Sequence, residues 1–324
     1  MGQPVSKSFD LMVVGRPSVD VIFSGLPEWP VLGKDIETAD LGVCAGTTFN
    51  TPAAANRIGM RVAYIATLGN DPWSRLIRDE FAAESLATDF VEIQDRPLPA
   101  ISVGLNFSGD RGFVTHWGSS DNYDADMAAR ALAILERIDA RHLHAYVDET
   151  PELEAAAHRR GMTVSVDAWG GPWWSSSRSL AETLAHADVL FANEAEAAAM
   201  TGEADLRRAL ERAAEHCQCV VIKRGADGAI GMAGGQIRAV SADPVTVRDT
   251  TGAGDCFNAG FLAGWLGGLP LEESLTLGVI CGSRAIQDIG GYRGCPREAE
   301  LREIAAASSI TMPRREASPQ GEPI

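Results

Sequence analysis

The sequence predicts an α/β fold: a mostly parallel sheet covered by helices on both faces, with a small second sheet beside it. Short apolar runs alternate with segments of helical period through most of the chain, the β-α-β rhythm of a parallel sheet. Two stretches, Asp35–Cys44 and Ala100–Trp117, break that rhythm and read as strands without intervening helices. After Asp249 the pattern turns helical.

Taken in order, Leu11–Gly15 reads as the first strand, Thr51–Ile58 as a helix and Val62–Thr67 as a strand. Pro72–Leu86 has helical period, with proline in the first turn, where its missing N–H is tolerated. Leu143–Val147, Thr163–Asp167, Asp188–Ala192 and Cys219–Lys223 are the later strands. Helices at Pro151–Arg160, Ser179–His186 and Asn193–Met200 separate them. Gly252–Leu266 and Leu271–Gln287 are long apolar helices, and Glu298–Ala307 is the last. Gly109, in Ser108-Gly109-Asp110, suits a hairpin turn. The two helix-free stretches are therefore expected to form a small antiparallel sheet, placed as a lid over a site. Ile101, Val103 and Leu105 alternate with polar or small neighbours, as one buried strand face would. Pro313–Ile324 reads as a disordered tail, which leaves one domain over residues 1–312 with its lid drawn from about 16–45 and 98–120.

Composition narrows the function. With 324 residues, 45% hydrophobic and 22% charged, the chain has ordinary globular proportions and enough length for a sizeable core. A net charge of -16 argues against broad nucleic-acid binding, which needs clustered Lys and Arg. It leaves room for a phosphate held locally by backbone N–H groups at a helix start. No apolar run approaches the roughly 18–20 residues of a membrane helix, and Met1–Phe9 has no apolar signal core, so a cytoplasmic protein with no membrane partner is expected. The six cysteines form no CxxC pair; Cys217 and Cys219 are read as packing rather than metal ligands. Asn106-Phe107-Ser108 matches a glycosylation acceptor, which carries little meaning without an export signal.

The sharpest segment is Asp249-Thr250-Thr251-Gly252-Ala253-Gly254-Asp255-Cys256-Phe257-Asn258-Ala259-Gly260. A turn of small residues runs directly into an apolar helix, so unpaired N–H groups lie at the positive end of the helix dipole and suit phosphate oxygens. Asp255 falls in the first helical turn. Two other nucleotide motifs are excluded: there is no GxxxxGK followed by Ser or Thr, and the Rossmann pattern fails because Phe257 stands where its third glycine belongs.

This string is similar to the carboxyl-terminal signature of the ribokinase-like (PfkB) carbohydrate kinases. Ala45-Gly46-Thr47-Thr48-Phe49-Asn50, followed by a small-residue helix ending at Gly59, resembles that family's early signature. Leu68-Gly69-Asn70-Asp71 resembles its LGxD turn, Asn193-Glu194-Ala195-Glu196 its Asn-x-x-Glu element, and Lys223-Arg224-Gly225-Ala226-Asp227-Gly228-Ala229 its nucleotide-side strand and hairpin. The motifs stand in family order over roughly residues 10–300. The resemblance implies a doubly wound sheet with a β-sheet lid, and transfer of the γ-phosphoryl group of ATP to a hydroxyl. It casts Asp255 as the base for the hydroxyl proton, with Gly252, Ala253 and Gly254 as backbone donors to the transferred group. Asn193, Lys223, Gly225, Gly228, Gly252 and Gly254 fall on the nucleotide side. Glu196 would orient Mg²⁺ through water; capping of a helix start is the alternative for Asn193 and Glu196. Asp249, Thr251, Ala285 and Gly290 lie in segments that form a monovalent-cation loop in potassium-activated relatives.

On the acceptor side, Asp20 follows the first strand and matches the family aspartate that grips substrate hydroxyls, with Ser18, Gly46, Thr47 and Asn50 around it. Small residues at Gly46 allow close approach of the backbone to a ligand. Ala45 replaces the first glycine of the usual pair, and Thr47-Thr48 replaces the Lys-Gly of typical ribokinases. At Asp167-Ala168-Trp169-Gly170-Gly171-Pro172-Trp173-Trp174 the Arg that relatives use for acidic sugars is missing. The expected acceptor is thus a small neutral sugar. A nucleoside kinase is the alternative, with Trp29, Phe113 or Trp117 under a base. A non-catalytic nucleotide or sugar sensor is disfavoured by the intact Asp255, Gly252, Gly254 and Glu196. His142 and His144 share a strand face and are read as packing or hydrogen bonding rather than a metal pair. A homodimer through the lid sheets is expected, because the helix-free strands otherwise leave exposed edges and an apolar face.

Overall fold

The computed structural model describes residues 8–107, 111–118, 123–146, 151–168 and 178–313. The first half runs β1 (Ser8–Phe9), β2 (Leu11–Val14), β3 (Pro17–Leu26), β4 (Asp40–Thr47), α1 (Asn50–Arg57), β5 (Val62–Leu68), α2 (Pro72–Ala83), β6 (Val91–Ile93), β7 (Ile101–Phe107), β8 (Arg111–His116) and α3 (Tyr123–Leu135). It continues with β9 (Asp139–Ala140), β10 (His142–Tyr146), α4 (Pro151–Arg159), β11 (Thr163–Asp167), α5 (Leu180–Thr183), β12 (Val189–Asn193), α6 (Glu194–Thr201) and α7 (Leu206–Ala213). Last come β13 (Cys219–Lys223), β14 (Ala229–Ala233), β15 (Gln236–Val240), α8 (Ala253–Leu266), α9 (Leu271–Ala285) and α10 (Glu298–Ala307).

The main sheet has nine strands in the order β15-β14-β13-β12-β11-β10-β2-β5-β6. It is parallel except at β14 and β15, which close it as an antiparallel hairpin. Successive residues of its central strands serve two different cores. Leu11 and Val13 of β2, with Cys219 and Val221 of β13, pack towards α1, α2, α8, α9 and α10. Met12 and Val14, with Val220 and Ile222, pack towards α3, α4, α6 and α7. Both faces are covered, which explains why these strands read as unbroken apolar runs rather than alternating ones. Burial of each large side chain contributes roughly 1.5–3 kcal/mol. No helix among the described residues is long and apolar enough to cross a membrane.

A separate sheet has four strands in the order β4-β3-β7-β8. Here the sequence reading needs correction. The sheet is mixed rather than antiparallel: β3 pairs antiparallel to β4, and β7 to β8, but β3 and β7 run parallel. Asp20 follows the predicted first strand, found at Leu11–Val14, and lies inside a further strand that the sequence did not announce, the ten-residue β3. On β7 the face turned to the body is Ser102, Gly104 and Asn106, while Ile101, Val103 and Leu105 are only half-buried on the other side. Two further elements differ in extent: only Leu180–Thr183 of the expected 179–186 helix is helical, and the strand expected from Asp35 begins at Asp40. The turn at 108–110, the Trp169–Trp174 stretch and residues 314–324 lie outside the described residues.

The small sheet is fixed to the body at several points. Asn106 Nδ2 donates to Asp249 Oδ1 at 2.8 Å, Arg293 donates to Val43 O at 3.0 Å, and Arg248 pairs with Asp40 at 2.7 Å. Ile22, Cys44 and Ile289 make an apolar contact beneath it. These attachments set Asp20 and its neighbours against the start of α8.

Candidate active site

Gly252 precedes α8 in the left-handed region, at φ 67°, and a Cβ there would lie 2.6 Å from Gly291 O, so both backbone conformation and space require glycine. Arg57 holds the opposing turn by donating to Cys295 O and Arg293 O, each at 2.9 Å. No side chain caps α8. The Ala253 N–H bonds Thr250 O at 3.4 Å, so it is the N–H groups of Gly254 and Asp255 that keep their capacity to receive an anion, helped by the helix dipole.

Asp255 stands in that turn. Its Oδ1 accepts from Thr51 Oγ1 at 2.8 Å and its Oδ2 from Asn50 Nδ2 at 3.3 Å. Asn50 Oδ1 is buried with no hydrogen-bond partner, and a Cβ on Gly291 would lie 2.3 Å from it. Burial raises the Asp255 carboxyl to about 6, assisted by the charge of Asp167 and opposed by Thr51, Lys223 and Asn50. A carboxylate with that affinity is ionised at neutral pH yet basic enough to take a proton from a hydroxyl approaching the helix start.

The residues expected on the acceptor side gather around Asp20. Asp20 is 4% exposed. Burial raises its carboxyl to about 7; Ser18 and the Thr47 backbone lower it through hydrogen bonds, whereas the charges of Asp255 and Asp249 raise it. Ser18 Oγ donates to Asp20 Oδ1 at 2.9 Å and also meets Thr47 Oγ1. Gly46 is packed so closely that a Cβ would fall 1.9 Å from Asp20 Oδ2. The turn itself is carried by Thr47, a β-branched residue at φ 54°, a conformation that stores strain on the order of 1–3 kcal/mol. Ala45, by contrast, fits as an ordinary residue of β4.

The remaining residues lie along the far edge of the main sheet. Asn193 and Glu196 form a reciprocal cap on α6: Glu196 N donates to Asn193 Oδ1 at 2.8 Å and Asn193 N to Glu196 Oε2 at 2.7 Å. This leaves Glu196 Oε1 for another partner. Burial, then the charge of Asp167, raise the Glu196 carboxyl to about 7. Lys223 Nζ contacts both Asp167 oxygens, at 3.2 and 3.1 Å, and reaches the side of Gly254. Gly225 and Gly228 shape the tight turn between β13 and β14; a Cβ on Gly228 would lie 2.0 Å from Val240 O. Arg224 is tied to Glu194 at 3.1 Å.

Asp249 joins the segments around 250 and 290. Its Oδ1 accepts from Thr251 N at 2.9 Å and its Oδ2 from Gly290 N at 3.0 Å, while the Arg248 amide bonds Ile286 O, one residue past Ala285. Thr251 Oγ1 is buried without a hydrogen-bond partner. His142 and His144 do not point to a metal: both bond Ser165 Oγ, at 2.7 and 2.8 Å, and burial holds both rings neutral by lowering their proton affinity. Among the described residues no group of three or more His, Cys, Asp or Glu is arranged to hold a metal ion directly.

The sequence reading missed Thr51, Asn258 and the Lys223–Asp167 pair. Thr51 follows Asn50 and differs from it by one helical step, which gave no separate signal. The other pairing is between residues 56 positions apart and exists only once the sheet is assembled.

A nine-stranded, mostly parallel sheet, a second small sheet and an uncapped helix start holding an aspartate define a phosphotransferase of the ribokinase fold, one that acts on an alcohol group. Residues 42–298 match the model of the pfkB family of carbohydrate kinases, and the chain belongs to that family. It is 29% identical over 252 residues to an uncharacterized sugar kinase of Archaeoglobus fulgidus, covering 76% of this chain and 99% of the relative. It is 26% identical over 297 residues to the ribokinase of Bacillus subtilis, covering 91% and 99%. The crystal structure of the Thermotoga maritima ribokinase superposes with a TM-score of 0.74 at 20% identity, covering 92% of this chain and 99% of that one.

Proposed function

We propose that this kinase transfers the γ-phosphoryl group of ATP to a hydroxyl of a small neutral sugar, with Asp255 as general base. The observation that carries the reading is the placement of the Asp255 carboxylate, held by Thr51 and Asn50 at the uncapped start of α8 and facing Asp20. Asp20, Ser18, Thr47 and Asn50 grip the acceptor; a carboxylate, hydroxyls and an amide together match the donors and acceptors of a diol. Asp255 takes the proton of the hydroxyl, and the N–H groups after Gly252 receive the phosphoryl oxygens.

The residues present fit ATP and Mg²⁺. The uncapped helix start and Lys223 suit phosphate oxygens, and the mutually repelling Glu196 and Asp255 suit a hard divalent cation. Glu196 would hold Mg²⁺ through water, where the ion neutralises charge on the phosphates. Asp249, Thr251, Ala285 and Gly290 are the residues from whose backbone and side-chain oxygens a monovalent cation would be bound. The small sheet serves as the lid.

The state of the candidate aromatic platforms favours a sugar over a nucleoside. Trp29 stacks on Phe107 at 5.2 Å, Arg16 lies over the Trp117 ring at 5.9 Å and Arg111 over the Phe113 ring at 5.8 Å, so all three candidate platforms are already engaged. Fructose, ribose, adenosine and inosine compared at matched concentration with ATP and Mg²⁺ test the assignment. A sugar is expected to give the highest specificity constant; a nucleoside ahead of every sugar by tenfold or more overturns it.

The outward face of the small sheet carries Leu41 (55% exposed) and Val114 (63% exposed) beside half-buried Phe23, Val103 and Leu105. A contiguous apolar sheet face of this kind calls for a cover, and a second copy of the chain applied lid to lid supplies it. Sedimentation at micromolar concentration is expected to give the mass of a dimer; a monomeric mass counts against it.

A further inference from the structure

We infer that Asp167 and Asn258 are positioning residues that clamp the Lys223 ammonium beside the first turn of α8, where it meets the phosphoryl group to be transferred. The inference rests on the kinase reading and deepens it. Asp167 ends β11 and Lys223 ends β13, so both stand at the same edge of the sheet with β12 between them. Asn258 lies one turn beyond Asp255 on α8 and is fully buried.

The three side chains close a ring of hydrogen bonds. Lys223 Nζ donates to both oxygens of Asp167 and, at 3.4 Å, to Asn258 Oδ1, while Asn258 Nδ2 donates back to Asp167 Oδ2. The ring leaves Nζ 3.2 Å from the position a Cβ would take on Gly254. A glycine is thus present where the ammonium flanks the helix start, and the cation stands beside the N–H groups that face an arriving anion. A free lysine has on the order of 2 kcal/mol of rotamer entropy to lose before it can serve such a site. The ring removes that freedom in advance, which is the preorganisation that electrostatic stabilisation of a transferred phosphoryl requires. Asp167 is buried and both of its oxygens are engaged by Lys223 and Asn258, so it acts on the phosphates through Lys223.

The test is a double-substitution cycle on the full chain, read by calorimetric binding of ATP·Mg²⁺ and ADP·Mg²⁺ and by steady-state kinetics. Lys223→Met is expected to cut the preference for ATP over ADP about ten- to a hundredfold, the loss of one charged contact. Asp167→Asn is expected to cut it in the same direction, with the acceptor KM near wild type. The double variant is expected to be no worse than Lys223→Met alone, because Asp167 acts through the lysine. Additive losses, or an Asp167→Asn variant with wild-type ATP preference, overturn the clamp. Asn258→Leu, which removes the third member without touching either charge, decides the matter if Asp167→Asn does not fold: an unchanged ATP preference there also overturns it. Because these readouts are binding constants, absence of acceptor-dependent turnover in the wild type would sink the kinase reading and leave the clamp to be judged on its own result.

Discussion

Asp255→Asn is expected to lower kcat by about 10²–10⁴ while the protein still folds and binds ATP. The substitution keeps the size of the side chain and one oxygen to accept from Thr51, at 2.8 Å in the wild type, while it gives up the 3.3 Å acceptance from Asn50 and removes the basicity. The helix start remains uncapped and the phosphate cradle intact. The measurement pairs turnover with ATP binding by calorimetry. Near wild-type turnover would end the assignment of Asp255 as base. Loss of ATP binding would instead make it a structural or metal-holding residue.

Asp20→Ala is expected to act on the other substrate. Each charged hydrogen bond from a buried carboxylate to a hydroxyl contributes roughly 1.5–3 kcal/mol, so the acceptor KM should rise about ten- to a hundredfold or more, with the KM for ATP nearly unchanged. The tight fit of Asp20 against Gly46 and its bond to Ser18 show how little the site can relax to compensate. Equal effects on the two Michaelis constants would mean that Asp20 only holds β3 in place.

The parts of the fold that were legible in the sequence are those where apolar means buried. Thr163–Asp167 and Cys219–Lys223 are strands to the residue, because both faces of the main sheet are covered. The same rule misleads in the small sheet. Its inward face covers a polar site, so Ser18, Asp20 and Ser24 are buried on β3 beside Ile22, and Ser102 and Asn106 are buried on β7. A strand whose buried face is largely polar has little apolar period to announce it, so β3 is not legible as a strand, whereas the Ile101, Val103 and Leu105 face of β7, expected to be covered by a second copy, lies half-buried on the side away from the body. The residues of the two signatures were legible as motifs, and the fold brings Asn50 and Asp255 into contact across 205 positions. Lys223 was legible as a residue near phosphate, but its partners Asp167 and Asn258 belong to different elements, and only the assembled sheet and helix bring them together.

The pH dependence of kcat/KM for the acceptor at saturating ATP tests the central claim most directly. Asp255 and Asp20 have carboxyls raised to about 6 and about 7, and both must be ionised, one to take the proton and the other to grip the hydroxyls. The two titrations are electrostatically coupled, so they appear as a joint acid limb rather than as separate steps. The account predicts a rate that rises between pH 5 and 8 more steeply than one proton allows, and that in Asp20→Ala rises less steeply by about one proton. A profile flat from pH 5 to 8, or an acid limb that survives unchanged in Asp255→Asn, would contradict it.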